Sequence, residues 1–180
     1  MPTQISIQPD ETSGPELVSE LNPFPIEVVA PVPAAALPAT YRAAFSFAAV
    51  SGDALVIFGV TGKVIKITEI GIAKPSATET VQVILRRTAD SGGTSTLATN
   101  VPLDPNDPLI TTPVRIYTAA PTAGTAVGAI ARCVVAAPDV LVFTFGDKGK
   151  YPTLRADNQC LAVNVDATAT LPGWIEWTEE

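Results

Sequence analysis

The chain has 180 residues, with 18 acidic and 11 basic side chains, a formal charge of −7 and no histidine. Apolar residues make up 47% and charged residues 16%, which separates it from the polar, highly charged composition of a disordered chain. The same figures exclude most histidine-based catalysis, and a negative balance with no basic cluster gives nucleic-acid backbones nothing to attract.

Residues 1–40 stand apart. They hold five acids (Asp10, Glu11, Glu16, Glu20, Glu27), no Lys or Arg, and eight of the 17 prolines. Each proline fixes φ and removes a backbone donor, so no strand ladder is expected there. Ser13 and Glu16 stand at capping-box spacing with Pro15 early in the turn, which predicts one short helix over 15–21. Apolar side chains recur along this acidic arm. Ile5, Ile7, Leu17, Phe24, Ile26 and Val28 are its candidate contacts with a neighbouring subunit or a larger surface, the alternative being a disordered leader. The amino terminus lacks a signal-peptide layout, and no window is long and apolar enough to span a membrane as a helix.

From residue 41 onward, short apolar runs alternate with period two and are separated by turn residues. They predict strands at 41–50, 54–60, 63–73, 79–88, 94–98, 114–118, 127–136, 140–145, 160–166 and 174–178. That is the layout of an all-β sandwich or barrel over 41–180. Within 63–73, Ile65 and Ile67 alternate in one phase and Ile70 and Ile72 in the other, so a bulge is expected at Thr68 or Glu69. In 79–88, Val81, Val83 and Leu85 face a core, while Gln82 and Arg86 are expected to meet water. Turns are expected at 51–53, 61–62, 91–93 and 147–149, each with a glycine that tolerates positive φ. Residues 100–113 contain Pro102, Pro105, Pro108 and Pro113 and read as a long irregular connection.

No catalytic, cofactor-binding or metal-binding constellation emerges. Cys133 and Cys160 have neither CxxC nor Cys/His spacing, and stand either as two buried free thiols or as a disulfide, within the chain or between subunits. The 91–96 run lacks a Walker lysine and precedes a strand, which favours a hairpin turn over a phosphate cradle. Asp104, Asn106 and Asp107 offer oxygens to calcium, but the interleaved prolines favour a rigid turn. Trp174 and Trp177, three apart, point to opposite faces of one strand, one into the core and the other toward an edge or interface.

Three runs carry a resemblance. They are 86–96 (RRTADSGGTST) with 101–108 (VPLDPNDP), 117–122 (YTAAPT), and 154–165 (LRADNQCLAVNV) followed by 173–177 (GWIEW). Over residues 60–180 the chain resembles small structural proteins of tailed-bacteriophage virions. The resemblance implies a jelly-roll β-sandwich, commonly a trimer, that decorates or cements the outside of the capsid after synthesis in the host cytoplasm. It implies the major capsid protein or other virion proteins as partners, no cofactor and no catalysis. A tail, baseplate or neck component is the nearest alternative. A carbohydrate-binding adhesion module that uses Trp174 or Trp177 is the alternative of a different class.

Overall fold

The computed structural model describes residues 38–48, 51–73, 75–136, 139–166 and 170–180. The predicted arm helix and the contacts assigned to Ile5, Ile7, Leu17, Phe24, Ile26 and Val28 lie outside the described residues. Every described strand belongs to one unit, Leu37–Glu180.

Among the described residues twelve strands succeed one another: β1 (Ala39–Ala48), β2 (Gly52–Phe58), β3 (Ile65–Ala73), β4 (Glu79–Arg86), β5 (Thr94–Leu97), β6 (Asn100–Pro102), β7 (Val114–Ala119), β8 (Ala126–Val135), β9 (Val140–Thr144), β10 (Thr153–Leu154), β11 (Cys160–Val165) and β12 (Thr170–Glu179). One sheet runs β10-β3-β12-β1-β6, with β9 also on β3, and the other runs β5-β7-β2-β11-β4-β8. All pairings are antiparallel. The pairings are nested: β1 lies on β12, β2 on β11, β3 on β9, and β4 on β8.

Alternation explains why the two sheets stack. In the first, Tyr41, Trp177 and Ile67 form one inward row and Ala43, Ile175 and Ile70 the next. In the second, Leu55, Val163 and Val83 do the same. All nine belong to a single buried cluster drawn from both sheets, so the fold is a β-sandwich. Burying each large aliphatic side chain contributes roughly 1.5–3 kcal/mol.

The phase break in β3 is a bulge. Glu69 faces Glu176 but Ile67 faces Trp177, which leaves Thr68 as the extra residue and lets Ile65, Ile67, Ile70 and Ile72 all point inward. The glycines of the expected turns take positive φ, at Gly52, Gly62, Gly92, Gly93 and Gly149. Two expectations are corrected. The 100–113 connection is not wholly irregular, because Asn100–Pro102 adds a short strand to β1. Proline is tolerated there because β6 is an edge strand. The 91–93 turn does not close a hairpin, since β5 pairs with β7 rather than with β4. Two further features carry no clear signal in the sequence, namely the two-residue β10 and the start of β12 at Thr170, ahead of Pro172 and Gly173.

Candidate interaction edges and a sealed ion cluster

Part of the outer face of the second sheet is buried, not wet. Val56, Tyr117, Cys160 and Ala162 form a second cluster there, with Phe58 against it. Beside it, Asp53, Arg86 and Asp90 are almost inaccessible, which corrects the expectation that Arg86 meets water. A bulge explains how Asp53 arrives. The β2–β11 register passes from Leu55↔Val163 to Asp53↔Asn164, so Ala54 is the extra residue and Asp53 is re-aimed to the outer face. There its Oδ2 accepts from Arg86 Nη2 and its Oδ1 from Asn164 Nδ2 at 2.6 Å. Arg86 Nη1 donates to the Gly124 carbonyl at 2.9 Å, and its Nε lies 3.1 Å from Asp90 Oδ1.

The lid over this cluster is the chain itself. Residues 87–91 and 122–125 are laced together by Arg87 N–H to Thr125 O (2.8 Å), by Ser91 and Thr122 donating to each other's carbonyl (3.0 and 2.8 Å), and by Gly124 N–H to Asp90 Oδ1 (2.8 Å). A Cβ on Gly124 would collide with the Thr88 carbonyl, so only glycine lets the two segments press together. Burial, with Asp53 alongside, raises the Asp90 carboxyl to about 6, against the lowering pull of the Gly124 amide and Arg86. Asp90 Oδ2 is buried and accepts no hydrogen bond, so a proton there converts an orphan acceptor into a donor toward Asp53.

The outer face of the first sheet presents the same charges in the open. Arg42 Nη2 lies 2.6 Å from Glu176 Oε2 and 4.0 Å from Glu69 Oε1, and Glu69 and Glu176 are register partners. Trp174 lies over Gly71, donates Nε1–H to Glu69 Oε1, and has the Arg42 guanidinium carbon 5.9 Å from its ring centre. The two tryptophans therefore do point to opposite faces. Trp177 is wholly buried against Tyr41, which removes it as a sugar contact, and Trp174 sits on the open face of a central strand, not at an edge.

Cys160 is buried and Cys133 half-buried, and both are free thiols. They flank β4 opposite Arg86 and Val81, five positions apart along that strand. At about 3.3 Å per residue that offset far exceeds the reach of a disulfide, so an intrachain bond is excluded. Burial pushes the Cys160 thiol up to about 12, which keeps it protonated at neutral pH. Asp104 closes a turn, its Oδ1 accepting from Asn106 N–H and Nδ2 at 2.9 Å each, and among the described residues no three His, Cys, Asp or Glu side chains gather as a metal site.

Among the described residues, the large aliphatic side chains left exposed lie at the two lateral edges. At one, β8 and β9 adjoin as the outermost strands of their sheets, exposing Val127, Ile130, Val134, Val140 and Val142. At the other, β5 and β6 are joined through Ala98 and Thr99 alone and, with the loop after β6, expose Leu97, Val101, Leu103 and Leu109. Open strand edges bearing apolar residues are surfaces that pair. No family model, no curated protein and no solved structure matches the chain.

Proposed function

We propose that the chain is a non-enzymatic structural protein of a tailed-phage virion, a capsid decoration or cement subunit acting as a trimer, with its acidic arm as the attachment to the capsid. The observation that carries this reading is the nested pairing of β1 with β12, β2 with β11, β3 with β9, and β4 with β8. That order is what a jelly roll requires, and it supports the fold implied by the resemblance over residues 60–180. The uncovered apolar edges add to it, since symmetric contacts bury such surface. The outer-face charges favour a structural role too: the acids around Arg86 are sealed from any substrate and those around Arg42 are paired.

The test is immunogold electron microscopy of the phage particles whose genome encodes this chain. Label on the head supports the reading. Label on the tail or baseplate moves the protein to the neighbouring class, and absence of label from intact particles overturns the virion assignment. Deleting residues 1–38 is expected to leave the sandwich folded and to abolish attachment.

A second reading has its own observation, the half-buried Trp174 ring beside Glu69, Glu176 and Arg42 on an open sheet face. An aromatic platform with flanking hydrogen-bonding groups suits a sugar ring. Binding on a glycan array that is lost in Trp174→Ala would support it, and an array without signal would remove it.

A further inference from the structure

The two apolar edges lie on opposite sides of the sandwich. In the first sheet β9 lies beyond β3 and β6 lies beyond β1; in the second β8 lies beyond β4 and β5 lies beyond β7. No isologous contact uses both, because a two-fold axis matches one patch to itself. Their chemistry differs in a complementary way. The β8–β9 edge carries Ile130 and Val134 on the second sheet's strand and Val140 and Val142 on the first sheet's, and its exposed β8 cation is Arg132, with Lys148 and Lys150 following β9 and Asp139 and Asp147 as further acids in those segments. The β5–β6 edge offers larger leucines, with Leu109 90% exposed, above a turn that carries Asp104 and Asp107, while Arg115 is held by Ser95 Oγ at 3.2 Å.

Backbone geometry points the same way. Among the described residues β8 pairs only with β4 and β9 only with β3, and on the other side β5 pairs only with β7 and β6 only with β1. Each edge therefore carries open N–H and C=O groups next to apolar side chains, the combination a second strand satisfies. The Pro102 ring limits β6 to one hydrogen-bonding face, already taken by β1, so side chains do most of the work on that half.

We propose that copies of this chain associate head to tail, the β8–β9 edge of one against the β5–β6 edge and 103–109 loop of the next, with Arg132 facing the Asp104 and Asp107 turn. The inference rests on the oligomeric part of the proposed function and specifies its contact. A heterologous contact of this kind closes into a ring when the rotation per copy divides a full turn, and a ring is what a trimer needs.

The experiment is native mass by light scattering on two full-length double variants, Ile130→Asp with Val134→Asp on one edge and Leu103→Asp with Leu109→Asp on the other. All four positions are exposed, and melting curves verify that each variant is folded. The expected result is an oligomeric parent, two monomeric variants, and a 1:1 mixture that forms dimers and stops, because each variant keeps one intact edge. If one variant remains oligomeric, or if the mixture stays monomeric, the head-to-tail contact is overturned while the virion reading stands. A monomeric parent overturns it as well. Failure of the immunogold test leaves this inference untouched. Should either double variant unfold, Val134→Thr and Leu109→Ser replace them, read as about a tenfold weaker association singly and as dimers on mixing at concentrations between the Kd of the intact contact and that of the weakened ones.

Discussion

The two outer faces of the sandwich carry the same charge motif, one arginine between two carboxylates, in opposite surroundings. Arg42 meets Glu69 and Glu176 in partial contact with solvent, where its side chain is 45% exposed. Arg86 meets Asp53 and Asp90 beneath a lid of the chain's own loops, where it is 6% exposed. The chemistry is alike, so the difference isolates desolvation. In the open, water screens the pair and leaves little net stabilisation. Beneath the lid each charge has lost its hydration and depends on its partners, so the cluster is unforgiving of any missing member.

That contrast is broken most severely by Arg86→Ala, which strands Asp53 and Asp90 as buried acids. The expected loss is about 3–5 kcal/mol in urea unfolding, while Arg42→Ala should cost no more than about 1 kcal/mol. Equal losses for the two would show that the lid does not exclude water. Next in size is Gly71→Ala, where the new methyl has to displace the Trp174 ring. Roughly 1–3 kcal/mol is expected, largely recovered in the double variant with Trp174→Ala.

The pH dependence sharpens the comparison from the other side. Because the folded protein holds a proton on Asp90 up to about 6, above the ordinary 3.8, it binds that proton more tightly than the unfolded chain does. The resulting stability is fully present below 3.8 and is lost as pH rises through 6. Relative to Asp90→Asn, the parent should therefore lose on the order of 2 kcal/mol between pH 4 and pH 7, seen as a falling melting temperature. A parallel pair of profiles would mean that Asp90 stays charged throughout.

The smallest effect concerns the thiols. A maleimide reagent at pH 7 is expected to label Cys133 and to leave Cys160 unmodified until the protein is unfolded, since Cys160 is both buried and held protonated. Mass spectrometry of the labelled chain reads this directly. Rapid labelling of both would mean that the outer face of the second sheet opens in solution.

Much of this architecture is legible in the sequence because alternation is local. Ten of the strands follow from period-two runs. The phase change between Ile67 and Ile70 locates the bulge at Thr68, because a strand with one buried face cannot shift phase without an extra residue. The three-residue spacing of Trp174 and Trp177 puts them on opposite faces. The ion cluster is not legible, because Asp53, Arg86, Asp90 and Asn164 come from separate parts of the chain and Asp53 reaches the outer face only through a bulge at Ala54. No periodicity marks that bulge, since Ala54 and Leu55 are both apolar.

By itself, the sequence determined that this protein builds an all-β unit with an inward face of isoleucine and valine, since spacing along one strand already decides which side chains can share a face. Tertiary structure alone decided which strands pair first with last, which of the two tryptophans is core, which arginine is sealed, and which edges stay open. Those outcomes depend on contacts between residues far apart in the chain, and one strand's alternation looks the same whether its neighbour is a core, a loop or water.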